Sequence, residues 1–263
     1  MMRMESNRKT WVLAALAVGA IATVLLLPPI RQWADYHDFA DTRTFWGIPN
    51  ALNVLSNLPF LGAGVWGLGI LARSRGSFRH PGERGPVGVL LLSFILVTLG
   101  SGLYHWSPND RTLFWDRLSL GLVFGSFLGI TVMERISLRG GALLFVPLVT
   151  ASAASVVHWA ATGDLRFWVL AQGGAILGIL VLIVFFAPRY TGDRALLGVV
   201  ALYGLAKAFE LLDGPIYRMG HLVSGHTLKH LVGAAAGCLY VGILGRRQPA
   251  QPLQSLVARG TGA

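Results

Sequence analysis

The chain has 263 residues, 54% of them hydrophobic and 13% charged, with a net charge of +10. A soluble domain carries about 25% charged residues, so this composition excludes an ordinary soluble enzyme and points to lipid as the solvent. The single cysteine, Cys238, excludes a disulfide framework and a thiolate zinc site within the chain; any metal must use His, Asp, Glu or Asn.

A membrane helix needs about 20 mostly apolar residues, and eight stretches meet that need. The first, 10–29, follows a basic start (Arg3, Arg8, Lys9). Its long apolar run lacks a clear small-residue cleavage site, which predicts an uncleaved anchor rather than a signal peptide. An acidic segment, 31–48, leads to the second stretch, 50–72, where Pro49 suits a helix start. Asn50, Asn53 and Asn57 then form a polar stripe on one helix face. In hydrocarbon these amides must find partners. They either hydrogen-bond between helices or, beside Asp35, Asp38 and Asp41, help to hold a hard cation such as calcium through oxygen ligands.

The third stretch, 86–106, closes on Ser101-Gly-Leu-Tyr-His105-Trp, and the fourth, 113–134, opens on Phe114-Trp-Asp116. The turn Ser107-Pro-Asn-Asp110 between them is short, which predicts antiparallel neighbours. Stretches 140–160 and 165–187 carry few polar groups, and His158 there reads as interfacial. Stretch 194–212 carries Lys207 and Glu210, with Asp213 just beyond, a spacing that suits a structural ion pair. The last, 226–245, opens on Ser224-Gly-His226-Thr-Leu-Lys-His230. The expected architecture is an all-α, polytopic transmembrane bundle. It comprises a basic tail and anchor (1–30), the acidic segment (31–48), a seven-span core (49–246) and a second tail (247–263).

Charge sets the expected orientation. With the N-terminus in the cytoplasm and eight spans threaded, 14 of the 22 basic residues fall on the cytoplasmic side against four acids, so the whole +10 sits on one face. This pattern is a topology signal rather than a nucleic-acid footprint. The Arg73–Arg84 loop suits contact with anionic lipid. Six of the seven histidines then fall on the outer face, although they had no part in setting the orientation.

His226 and His230 are one helical turn apart and share a face; Ser101 and His105 do the same. His105 ends one span, Asp116 begins the next and His226 begins the last, which places all three at one depth. Ionisable groups in membrane spans are costly and mark functional sites by default. Three imidazoles with one open position are what a catalytic zinc requires, and Ser101 and Asp116 would stand beside it.

The pattern Ser101-x3-His105, Asp116 eleven residues later and His226-x3-His230 in the final span resembles the alkaline ceramidases. These belong to a wider superfamily of seven-span membrane hydrolases that includes the progestin and adiponectin receptors. Asn53-Val-Leu-Ser56-Asn57 is similar to the family's first-helix motif. The resemblance spans about residues 35–245 and implies zinc on His105, His226 and His230, with Ser101 and Asp116 acting beside it. It also implies calcium in the acidic segment, for which Asp38, Asp41 and Asn50 are the counterparts. The family's Asp-Trp-x-Glu run is absent, however, and Asn50 stands where the family has a glutamate.

The expected activity is that of a zinc-dependent amidohydrolase cleaving the N-acyl amide of ceramide or a related N-acyl lipid to a long-chain base and a fatty acid. The alternative is a seven-span lipid receptor or sensor. A transporter with a buried proton relay would distribute its polar groups through the membrane depth, whereas here they gather toward one face. The expected partners are the lipid substrate and the bilayer, with no nucleic acid and no obligatory protein partner. The expected location is a bacterial inner membrane, with the site facing outward.

Overall fold

The computed structural model describes residues 2–73 and 78–250, with side chains from residue 8 onward. Arg75, Arg259, the side chain of Arg3 and the tail from 251 lie outside the described residues. The helices are α1 (Met2–Leu26), α2 (Ala51–Leu55), α3 (Leu58–Arg73), α4 (Arg84–Trp106), α5 (Asp110–Arg135), α6 (Leu138–Thr162), α7 (Arg166–Phe185), α8 (Ala195–Leu211), α9 (Asp213–Arg218) and α10 (Gly225–Arg246). No strand occurs among the described residues.

Seven helical stretches are long and apolar enough to cross a membrane, with α2 and α3 counted as one. The protein is an all-α, multi-pass membrane protein. The eighth predicted stretch is α8, whose 17 residues span about 25 Å, short of the ~30 Å hydrocarbon layer. It still joins the two ends of the bundle. The segment before it, 189–191, pairs with residues 248–250 after α10, while Asp213 after it meets the start of α10.

The second span is broken where the sequence suggested continuity. Pro59 has no N–H to give to Leu55, so the ladder cannot continue there. The chain takes a tighter turn at Asn57, whose N–H bonds to the Val54 carbonyl. The Ser56 and Asn57 side chains both donate to the Asn53 carbonyl. This break turns Ser56 and Asn57 toward α10, and the site below depends on it.

Glycines allow helices to approach closely at several positions, and two of these shape the site. A Cβ on Gly100 would lie 2.4 Å from the Trp115 carbonyl oxygen, and one on Gly225 would lie 2.2 Å from the Phe209 carbonyl oxygen. Gly100 thus brings Ser101 of α4 against Asp116 of α5, and Gly225 seats the start of α10 against α8 and α9.

The anchor α1 is peripheral. Its apolar face is exposed to the surroundings, with Leu13 resting on Val132, Leu182 and Phe186. Its end is clamped to the α6–α7 turn: Arg166 donates to the Leu27 carbonyl, and the Asp164 carboxylate accepts from the Ile30 amide. The hydrogen bond and charge of Arg166 hold the Asp164 carboxyl down at about 2, against the pull of burial.

At the arginine-rich end, buried charges pair across elements. Arg247 pairs with Glu134, Arg135 with Asp193 at 3.1 Å, and the Tyr190 hydroxyl donates to Glu83. Arg247 also lies over the Tyr190 ring at 4.1 Å.

Candidate metal centre

At the other end of the bundle, the last turn of α4 and the first turns of α10 bring His105, His226 and His230 together. One ligand atom from each can be chosen so that all lie within 4.8 Å of one another. The rings are 0%, 8% and 4% exposed, so bulk water does not solvate them. His105 Nε2 lies 3.3 Å from His226 Nε2. A tetrahedral ion with Zn–N bonds of about 2.0–2.1 Å has edges of about 3.3 Å, so this pair already stands at a tetrahedral edge.

The surrounding residues fix the rings. The Ser56 hydroxyl meets His230 Nδ1 at 2.8 Å and the Asn57 amide lies 3.4 Å from the same atom. His230 Nε2 is left buried with no hydrogen-bond partner, as is His105 Nδ1. Buried polar atoms are nearly always partnered, so the bare His230 Nε2, beside two further imidazoles, fits a missing positive ligand; the bare His105 Nδ1 lies on the far side of its ring from the Nε2 that meets His226. Asp213 accepts from the His226 backbone N–H at 2.7 Å and from the Ala40 N–H at 3.0 Å. Phe39 covers the group, with ring centroids 4.6 Å from His105 and 4.7 Å from His226. The donor set and its burial suit a metal ion such as zinc, and the His105–His226 pair already has the matching separation.

Asp116 and Ser101, both buried, line the same cavity as His230. The serine hydroxyl interacts with the Asp116 carboxylate. The predicted association of His105, His226, His230, Ser101 and Asp116 is therefore present in the geometry.

The acidic segment behaves differently from the calcium expectation. Both Asp41 oxygens are engaged by Arg43, at 2.8 and 2.7 Å. Burial would raise the Asp41 carboxyl, but the hydrogen bonds and charge of Arg43 outweigh it and hold the group below its usual value. Asn50 donates to the His105 carbonyl at 2.9 Å, Asp38 is exposed, and the three do not form an oxygen cage. Asn53 donates to the Asp41 carbonyl and accepts from the Thr227 hydroxyl. The asparagine stripe thus serves interhelical hydrogen bonding, the first of its two readings, and braces the histidines.

Lys229 was not singled out by its place in the sequence. Its Nζ lies 2.9 Å from His226 Nε2 and 3.0 Å from Glu210 Oε1, while Lys207 pairs with the other Glu210 oxygen. The available signal was a charged residue three positions after His226, and so on the same helix face.

Below these polar groups runs a cavity of about 1070 Å³, counting its open mouth, with walls that include Phe94, Val97, Val123, Phe124, Ile176 and Val199. Helices α7 and α8 both line it while touching each other at few points. Partly exposed Ile176, Val200 and Lys207 stand along that gap. The cavity therefore opens sideways, toward lipid.

No family model matches the chain. It is 30% identical over 149 residues to a probable polyol transporter 6 of Arabidopsis thaliana, over 54% of this chain and 27% of that protein. The chain thus spans about a quarter of that relative's length.

Proposed function

We propose that this protein is an integral-membrane, zinc-dependent amidohydrolase acting on ceramide or a related N-acyl lipid, similar to the alkaline ceramidases. One observation carries the reading: three buried imidazoles lie together, and one of them, His230, lines an apolar cavity with Asp116 and Ser101. A zinc ion on His105, His226 and His230 would supply a Lewis acid and lower the pKa of water to about 7.

The chain's own residues supply the rest. Asp116 accepts a proton from the attacking water at a carboxylate oxygen and delivers it to the leaving nitrogen. Ser101 donates to the amide oxygen as that oxygen gains charge. The phenylalanine and valine walls exclude water, which strengthens both hydrogen bonds, and they solvate the acyl chain. Water adds to the carbonyl carbon, the C–N bond breaks, and the products are a fatty acid and an amine. The charge pattern favours a cytoplasmic N-terminus and a site facing outward.

The likeness to a polyol transporter favours a second reading, passage of a sugar alcohol. The apolar walls speak against it, since a polyol needs hydroxyl partners along its path. A lipid sensor built on the same cavity would bind substrate stoichiometrically and release no product.

The deciding experiment offers labelled ceramide to the purified protein with and without chelator, and to His230→Ala. Amine release that requires both the metal and His230 supports the hydrolase. Release unaffected by either treatment refutes the zinc mechanism, and binding without release supports the sensor.

A further inference from the structure

We propose that Lys229 is a specificity residue of the cavity, one that donates to the oxygen of an acyl head group; naming that oxygen as an acyl oxygen rests on the hydrolase reading above. The side chain lines the same cavity as Ser101, Asp116 and His230. Glu210 holds it at 3.0 Å, and His226 Nε2 is 2.9 Å away.

An ion pair alone does not account for this arrangement. Glu210 is shared between Lys229 and Lys207, so one carboxylate faces two ammonium groups. Burying an ammonium is costly, and an apolar side chain at the same position is often neutral or stabilising. A lysine ammonium has three N–H donors; Glu210 takes one and the charge of Asp116 acts on the group as well, while in the metal-loaded protein the His226 Nε2 lone pair belongs to the metal, so at least one donor is left over. The deeper walls are largely phenylalanine, valine and leucine, so the remaining donor finds its partner in what fills the cavity.

The ligand class follows. It is a single apolar chain whose head carries a carbonyl or carboxylate oxygen. His230 and Tyr240 both line the cavity, and the ten-residue step from one to the other spans about 15 Å of α10, enough for a chain of about a dozen carbons.

The test is competition of dodecanoate and of dodecanol against a fluorescent acyl probe on the purified, metal-loaded protein, with bound metal quantified in every variant. The wild type is expected to bind dodecanoate at least about tenfold more tightly than dodecanol, the scale of a hydrogen bond to a charged group. Lys229→Met is expected to abolish that preference and leave dodecanol binding unchanged, while Lys229→Arg keeps the preference. Should Lys229→Met fail to fold, Glu210→Gln serves instead. Removing the competing anion is expected to tighten dodecanoate binding severalfold, whereas a purely structural pair would weaken both ligands alike. Equal binding of acid and alcohol by the wild type, or an undiminished preference in Lys229→Met at full metal content, overturns the proposal. Ceramide turnover is scored separately, so a protein that prefers the acid but never cleaves the amide defeats the hydrolase reading and leaves this one standing.

Discussion

At the arginine end, buried polar groups meet partners of opposite character: Arg247 with Glu134, Arg135 with Asp193 and the Tyr190 hydroxyl with Glu83. At the histidine end, three imidazoles face one another, and His105 Nδ1 and His230 Nε2 have no hydrogen-bond partner among the described residues. Both ends bury polar atoms in an apolar bundle at comparable cost. The arginine end sets opposite charges against one another, tying the segment before α8 and the residues after α10 to α5, although Arg135 Nε and Arg247 Nε and Nη2 also lack a hydrogen-bond partner among the described residues. The histidine end instead gathers three ring nitrogens of one kind, the arrangement that a cation would complete on the reading proposed above. An unpartnered buried atom is therefore weak evidence for a site by itself, and a cluster of three ligand atoms within 4.8 Å is the stronger observation.

Substitutions can break this contrast. The largest effect is expected from His105→Ala or His230→Ala, each removing one of three ligands. Bound zinc should fall from one per chain to near none, and amide cleavage by at least about a thousandfold, or ~4 kcal/mol of barrier; elemental analysis and a turnover assay read the two. Thermal unfolding in detergent should change far less.

The reverse pattern is expected at the other end. Glu134→Ala leaves Arg247 buried and unpaired, which costs about 3–5 kcal/mol. The unfolding midpoint should drop steeply while the zinc content of the folded fraction stays at one per chain. Zinc loss equal to that of the histidine variants would abolish the distinction between the two ends.

Ser56→Ala sharpens the comparison. It removes the 2.8 Å contact to His230 Nδ1 but no ligand. Partners of this kind are worth about 10–100-fold in metal affinity, so zinc should be retained but exchange with a competing chelator more readily.

The smallest effect concerns pH. The Asp164 carboxyl is held at about 2, below the ordinary carboxylate value of about 4. A depressed folded value stabilises above the unfolded value and is lost as pH falls through the folded one. The clamp on α1 should therefore loosen between about pH 4 and 2, seen as faster proteolysis between α1 and α2. Asp164→Asn should already show that susceptibility at neutral pH and lose the pH step.

Much of the site was legible in the sequence, because helical geometry converts spacing into direction. His226 and His230 had to share a face, and a four-residue turn had to place His105 near Asp116. The all-α architecture followed from apolar run lengths in the same way. What the sequence concealed was set by contacts between distant segments. The engagement of Asp41 with Arg43, in place of calcium, depends on how residues 41–43 fold back on themselves. The turn at Asn57 was signalled by Pro59, but its consequence, a serine and an asparagine aimed at His230, needed α10 to be in place. Lys229 stood in plain view between two histidines, yet its neighbour Glu210 lies on another helix. The short span of α8 was also hidden, since its apolar run continues past Leu211 into Leu212 without marking where the helix ends.

The sideways gap between α7 and α8 changes what concentration means for this protein. A molecule arriving through that gap has already partitioned into the bilayer or micelle, so the rate of loading follows its mole fraction among the lipids rather than its amount per volume of water. Diluting the membrane with inert lipid or detergent would then slow the protein even when the total amount of ligand is held constant.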